Sequence, residues 1–438
     1  MERHLMNPQT RNKLILFLTV FIDMLGFSVI FPIFPETLKF YLSGGEDPIL
    51  SLLLSLIGQF ESDSNHRYFI VIFGGLVGSI YAILQFMFAP FWGKLSDRTG
   101  RKPLLIFTSL GSFLGYLLWF FSTNFSLFVL SRIVTGIMGG NISVASAGMA
   151  DITSEKDRAK GMGMIGAGIG LGFIFGPPLG GLLSGVDLVG IFPSLAFFGV
   201  TIFSSSALIS VLFAFINLIL MLTLFQESYK PQADTPRSLS HPIFGVAGLK
   251  NSKIPFLSFI YFLFILGFSG FEFSINFFFH DTLYFNPREI GFSFVYMGLI
   301  VIFVQGGVIR RISGKVPEKK IALFGTVSLL IGLSILSLSS TFIPVFISLF
   351  FLSMGSAFLN PGLSALASLF SGAHEQGKNL GILRGFGSLA RAVSPFLFAL
   401  LYFNYGPNKS FLLSFFLSLL VLGFLLKVPD RENEKQNS

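Results

Sequence analysis

Apolar residues run along this chain in blocks long enough to cross a bilayer. A helix needs about twenty predominantly apolar residues to span the hydrocarbon core. Twelve blocks reach that length, at 14–35, 69–92, 104–122, 125–148, 161–184, 198–224, 254–279, 291–309, 321–339, 343–368, 379–403 and 410–427. Short connectors join most of them. Two are longer: 36–68, and the Pro-containing, basic 225–253 near the middle of the chain. The first holds a short apolar stretch from Ile49 to Ile57, too short to span. It reads as an amphipathic helix lying on the bilayer or capping the bundle, with a gate over a substrate path as the sharper alternative. The first block runs on through Pro32 and Pro35, so it is expected to be a span rather than a cleaved signal peptide.

Basic positions add a second pattern. With the amino terminus placed in the cytoplasm, the seven cytoplasmic segments hold 23 Lys and Arg and the opposite side holds four, Lys39, Arg67, Arg288 and Lys409. Cytoplasmic connectors carry such an excess in membrane proteins. Both termini and the central connector are therefore expected on the cytoplasmic side. The same distribution assigns the formal net charge of +8 to membrane topology rather than to nucleic acid.

The two halves echo one another. Gly93, Gly100 and Pro103 after span two match Gly307, Gly314 and Pro317 after span eight, all at an offset of 214. Pro177 in span five matches Pro395 in span eleven at an offset of 218. This divides the chain into a six-helix half at 1–225, a central loop at 226–253 and a second six-helix half at 254–438. Parallel six-span repeats with a site between them are a transporter architecture.

Composition agrees. Charged residues make up only 12% of the chain and hydrophobic ones 52%, too little charge to cover a soluble surface. The 47 glycines and 57 phenylalanines suit helices packed closely in lipid. With no cysteine, thiolate chemistry and Cys-ligated metals are excluded. The five histidines are scattered through loops and ends, which argues against an enzyme; His280-Asp281 is the one suggestive pair. No cofactor and no metal are expected. Gly161-x-Gly163-x-x-Gly166 superficially fits a dinucleotide fingerprint, but it lies in a span and follows no strand.

The strongest local motif is Gly93-Lys94-Leu95-Ser96-Asp97-Arg98-Thr99-Gly100-Arg101-Lys102-Pro103. Its glycines permit a tight turn. Its four cations suit the anionic inner surface, and Asp97 can pair with Arg101 or with a helix N-terminus. The string resembles the signature of the major facilitator superfamily, whose fold is all-α, with twelve transmembrane helices in two pseudo-symmetric six-helix halves. Ser131-Arg132-Ile133-Val134-Thr135-Gly136 resembles the superfamily's second motif, whose arginine is linked to proton transfer. Gly168, Gly172, Gly176 and Gly180 stack on one face of span five. With Gly176-Pro177 and Gly180-Gly181 they resemble the antiporter motif of drug/proton exchangers. By this resemblance Gly93, Asp97, Arg98, Gly100, Arg101, Gly172, Gly176, Pro177 and Gly180 form the conformational gate. Ala150-Asp151-Ile152-Thr153 with Arg158-Ala159 is similar to a loop of tetracycline exporters.

Phe73-Gly74-Gly75-Leu76, Gly140-Asn141-Ile142-Ser143, Ser269-Gly270-Phe271-Glu272-Phe273, Gln305-Gly306-Gly307 and Ser388-Leu389-Ala390-Arg391-Ala392 are similar to the tetracycline-transporter-like (TETRAN) group of major facilitator domain proteins. The chain departs from tetracycline exporters themselves. Gly115 stands before Tyr116 where they carry an acid, Val301 where they carry a histidine, and 321–339 holds no acid. These departures argue against metal-chelated tetracycline as the substrate.

Charges within spans are costly and mark functional candidates. Asp23 lies nine residues into span one, about 13 Å deep by helical rise, and Glu272 lies past the middle of span seven. With Arg132 they are the candidates for proton coupling; a fixed ion-pair or hydrogen-bond role is the alternative for each. Arg391, twelve residues into span eleven, binds an anionic group or pairs with Glu272. Arg384, near the cytoplasmic end, is expected to snorkel. Gln85, Asn141, Asn276, Gln305 and Asn360 join Arg391 as candidate substrate contacts, with interhelical bonding as the alternative.

The resulting expectation is a secondary transporter of a small organic solute, exporting drug-like compounds against protons by alternating access. Organic-anion transport and a non-transporting receptor are the rivals. The expected partners are the solute, protons and the lipid bilayer, without nucleic acid. A monomer in the bacterial inner (plasma) membrane is the expected state.

Overall fold

The computed structural model describes residues 7–44, 47–58, 67–154, 157–229, 253–312, 314–371 and 376–429. Most of the central loop therefore lies outside the described residues, as do His4, His66, His241 and His374. All regular structure among the described residues is helical.

Among the described residues, twelve helical segments are long and apolar enough to cross a membrane, and each overlaps one of the twelve apolar blocks. Contacts divide the chain into two compact units, Met1–His241 with Asn286–Phe292, and Pro242–Phe285 with Ser293–Ser438.

In the first unit, α1 (Pro8–Ser28) continues through a 3-10 turn at Phe31–Ile33 into α2 (Phe34–Ser43). Then come α3 (Pro48–Gly58), α4 (Arg67–Thr99) and α5 (Arg101–Phe120). Span four is broken into α6 (Phe125–Met138) and α7 (Asn141–Asp151). The glycines between them let α4 approach: a Cβ on Gly139 would lie 2.9 Å from both Gln85 Nε2 and Tyr81 Oη. Carbonyls beside the break accept side-chain bonds instead, from Trp92 Nε1 to Ile137 O at 2.6 Å and from Gln85 Nε2 to Gly139 O at 3.0 Å.

The glycine-rich α8 (Arg158–Leu183) packs on α1. Its glycine stripe lies against α1 backbone, Gly168 on Phe17 O, Gly172 on Phe21 O, Gly176 on Leu25 O and Gly180 on Val29 O. Ser28 Oγ closes the contact by donating to Gly172 O at 3.1 Å. The stripe thus has a packing role, fixing where α1 sits and so where Asp23 projects.

Span six is shorter than its apolar block. Residues 188–198 form a four-residue helix, α9 (Leu188–Ile191), and a 3-10 turn, and α10 begins only at Ser204 (Ser204–Thr223). Gly199, at φ 84°, breaks the run between them. A continuous apolar string hid the turn.

The connector 36–68 contains α3, over the apolar stretch seen in sequence. Asp47 anchors it, accepting from the Ile49 and Leu50 amides at 3.0 Å each and from Ser126 N and Oγ at 2.9 and 2.7 Å. One carboxylate thereby caps α3 and ties it to the start of α6. Burial would raise the Asp47 pKa, but the four hydrogen bonds together hold it below the ordinary carboxylate value. A depressed pKa means the tether is at full strength above the unfolded value of about 3.9. It weakens only as pH falls through the lower folded value. At pH 7, Asp47→Ala is expected to raise amide exchange at Ile49, Leu50 and Ser126, a loss on the order of 1 kcal/mol per cap. Unchanged protection would refute the tether.

The second unit comprises α11 (Lys253–Asp281), α12 (Pro287–Phe303), a π-helical stretch at Val304–Ile309, α13 (Arg310–Ile312), α14 (Glu318–Ser337), α15 (Phe342–Leu369), α16 (Gln376–Tyr405) and α17 (Pro407–Lys427). The first residues of α12 group with the first unit. Here α14 packs on α15 and α11 on α16. The internal echo has a backbone basis: Gly100 and Gly314, related by the offset of 214, both take positive φ, 95° and 76°. Only glycine adopts that conformation without strain.

Candidate functional site

Three polar constellations stand out, two of them inside spans. In the first unit Asp23, 4% exposed, is ringed by aromatic and amide groups. Tyr81 Oη and Gln85 Nε2 each donate to Asp23 Oδ2 at 3.4 Å, and Gln85 Nε2 lies 3.1 Å from Tyr81 Oη. Tyr116 Oη reaches the Asp23 backbone carbonyl at 3.5 Å. Gly26 makes room for that ring, since a Cβ there would collide with the Tyr116 phenol. The long bonds leave the Asp23 carboxyl only lightly held.

Arg132, 2% exposed, sits over the Trp119 ring at 4.6 Å and the Phe128 ring at 5.6 Å. Its Nε and Nη2 find no hydrogen-bond partner. Its guanidinium lies against aromatic faces, which attract a cation. Asn141 is bonded to Thr108, so its carbonyl is already engaged between helices.

In the second unit Tyr261 of α11 collects two arginines from α16. Arg384 Nη1 donates to Tyr261 Oη at 2.7 Å, and Arg391 is close enough to this tyrosine and to Arg384 for electrostatic interaction. Arg384 Nη1 and Nη2 further reach Asn360 Oδ1 at 3.4 Å and Ser364 Oγ at 3.1 Å, while Tyr261 Oη donates to Asn360 Oδ1 at 3.2 Å. Arg384 therefore does not snorkel. Its seven-residue spacing from Arg391 places both on one face of α16, where the hydroxyl and amide acceptors lie. Glu272 is close enough to Arg391 for their charges to interact. The Glu272 backbone carbonyl accepts from Asn276 Nδ2 at 2.6 Å, and the buried Asn276 Oδ1 has no hydrogen-bond partner. Gln305 lies in the π-helical stretch, half-buried. Such stretches concentrate at functional positions. His280 and Asp281 do pair, Nδ1 to Oδ1 at 2.6 Å, at the exposed end of α11.

The third constellation is the basic motif. Arg101, 1% exposed, bonds Asp97 Oδ1 at 2.7 Å and Asp151 Oδ2 at 2.8 Å, and also Ser96 Oγ. Glu227 caps α5 by accepting from the Arg101 and Lys102 amides, each at 3.0 Å. Gly100 is required twice over, for its positive φ and because a Cβ would meet Glu227 Oε2 at 2.6 Å. Arg98, by contrast, is exposed. Neither Asp151 nor Glu227 could be joined to Arg101 from sequence, being 50 and 126 residues away. Arg101→Ala is expected to lower thermal stability by about 2 kcal/mol, the scale of lost charge-assisted bonds. A melting curve in detergent would read it, and an unshifted midpoint would overturn the assignment.

The sequence profile of the Major Facilitator Superfamily matches residues 16–331 and 306–438. The chain belongs to the major facilitator superfamily. As a major facilitator it is a multi-pass integral membrane transporter of small organic solutes and not an enzyme. It is 30% identical to bovine (Bos taurus) major facilitator superfamily domain-containing protein 10 over 97% of this chain and 94% of the relative. It is 29% identical to the class B tetracycline resistance protein of Escherichia coli, over 91% and 89%. Among solved structures, it is similar to the human organic anion transporter MFSD10 (TETRAN), with TM-score 0.74, 27% identity and coverage of 96% of this chain and 100% of that one.

Proposed function

We propose that this major facilitator moves a small organic anion by alternating access, coupled to protons. The observation that carries the reading is the convergence of Arg384 and Arg391 on Tyr261, with Glu272 as the nearby acid. Two fixed guanidinium groups near one acid leave a net positive site. A guanidinium stays charged, so such a site selects for a carboxylate, sulfonate or phosphate on the solute. The human relative's description as an organic anion transporter supports the same class.

Proton coupling rests on Asp23 and Glu272, carboxyls within spans whose charge is costly to bury. Arg132, stacked on Trp119 within the Asp23 constellation, is the third member of the coupling set. Gln85 acts through Asp23; Asn276, Gln305 and Asn360 remain candidate solute contacts. The Arg101 constellation and the α8 stripe with Pro177 serve as the gate. A second reading, proton-driven export of drug-like compounds, is favoured by the glycine stripe and by the likeness to tetracycline resistance protein. Under either reading the chain is a monomer in a bacterial inner membrane with both termini cytoplasmic, as the basic connectors suggest.

The test is uptake into proteoliposomes of a panel of organic anions and cationic drugs under imposed pH gradients. Anion flux is expected in the wild type, with Arg391→Ala raising the half-saturating concentration at least tenfold. Flux of cations only would reject the anion reading. An unchanged half-saturating concentration would remove Arg391 from the solute site.

A further inference from the structure

The second unit carries an apolar groove that the transport reading does not use. It has a volume of about 490 Å³ and a mostly apolar wall, formed by Leu299 and Phe303 from α12, Val308 from the π-helical stretch, Phe324 from α14, and Phe350 and Met354 from α15. That is within the roughly 300–1,000 Å³ of small-molecule clefts. Phe303 is 70% exposed and Phe324 52%, so the groove opens on the outside of this packing. The π-helical stretch runs along one wall, and Gly306 and Gly307 leave open space beside it.

One end of the groove is basic. Arg311 follows Val308 by three residues, and Lys320 precedes Phe324 by four; both are exposed. Lys320 shares a face of α14 with Phe324, and Arg311 lies in α13, directly after the stretch that holds Val308, so both cations stand at the end of the groove where Val308 and Phe324 line the wall. Lys319 is turned elsewhere, its Nζ donating to Leu426 O at 3.4 Å. From Arg310 to Lys320 the sequence holds five cations and one acid, Glu318. An apolar groove ending in cations matches an amphiphile with an apolar tail and an anionic head.

We propose that this groove binds one anionic phospholipid, with an acyl chain along Leu299, Phe303 and Phe324 and the headgroup phosphate on Arg311 and Lys320. A zwitterionic lipid offers the same tail but a head with no net charge, so retention depends on the cationic end. The site is separate from the Tyr261 constellation and does not depend on the solute.

The full chain in nanodiscs would be labelled with phosphatidylglycerol, phosphatidylcholine or free palmitate, each carrying a photoreactive group in the acyl chain. Adducts would be mapped by peptide mass spectrometry. Phosphatidylglycerol is expected to label the peptides holding Leu299–Val308 and Phe324 at least fivefold more than phosphatidylcholine. The double variant Arg311→Ala/Lys320→Ala should bring the two lipids to parity. Both positions are exposed, and elution as a single symmetric peak would establish folding of the variant. Equal labelling by both lipids in the wild type would overturn the proposal, leaving only annular contact. So would palmitate labelling the groove as strongly as phosphatidylglycerol, because a single chain with a carboxylate would then suffice and no phospholipid would be selected. A preference for phosphatidylglycerol that survives the double variant would overturn the assignment to Arg311 and Lys320.

Discussion

Gly176→Leu is expected to lower recovery of folded protein severalfold, while Gly170→Leu in the same helix is expected to be recovered normally. The two glycines differ in what their missing side chains face. A Cβ on Gly176 would collide with Ser28 Oγ and lie 2.8 Å from Leu25 O and 3.0 Å from Val29 N of α1. A Cβ on Gly170 would meet nothing within 4 Å. Backbone cannot yield as a flexible side chain can, so a leucine at 176 must push α8 off α1. Overpacking costs about 1–3 kcal/mol even where side chains can shift. Here it also breaks the bond from Ser28 to Gly172 O. Against a total stability of about 5–15 kcal/mol, that removes a large part of the margin. Size-exclusion profiles of the two variants expressed side by side decide the matter. Equal recovery would mean that the stripe serves motion rather than packing.

The same pair shows what sequence can and cannot resolve. A four-residue glycine spacing says that Gly168, Gly172, Gly176 and Gly180 share a face, and α8 packs with that face on α1. It does not say which helix they meet. Span positions were legible because hydropathy over about twenty residues sums many small transfer terms. The break at Gly139–Gly140 was not, since a two-residue turn barely changes that sum. Arg384 was misread for a related reason. Depth along a helix can be counted, but the direction of a long side chain depends on acceptors from other helices, here Tyr261, Asn360 and Ser364. Asp97 with Arg101 was within reach because the pair is spaced i, i+4. Asp151 and Glu227 were not, because nothing local couples them to Arg101.

By depth alone Arg384 belongs at the membrane surface, and the intramembrane charges then leave drug export and anion transport evenly matched. Turning Arg384 inward, onto Tyr261, raises the positive charge at that site by one. The anion reading gains accordingly. Asp23 is left in a different role, since the groups that reach its carboxyl are a tyrosine hydroxyl and an amide.

Asp23→Asn is therefore expected to abolish proton-driven uptake while sparing solute exchange. Asparagine has nearly the same shape and can keep an acceptor toward Tyr81 and Gln85, so the packing around residue 23 should survive. What it cannot do is take up and release a proton between the two faces of the membrane. Loss of a proton-transfer group costs roughly 100-fold or more in rate, and driven flux should fall by that factor. Counterflow at equal pH on both sides requires only that the loaded carrier reorient, so it should stay within about twofold, well inside a 1.4 kcal/mol effect. Glu272→Gln gives the complementary case. If Glu272 offsets Arg391 rather than carrying protons, its removal should tighten anion binding without uncoupling transport. Measuring driven uptake and counterflow for both variants in the same vesicle preparation separates the roles. Driven uptake that persists in Asp23→Asn would move the coupling site away from Asp23, and persistence in both variants would end the proton-coupled reading.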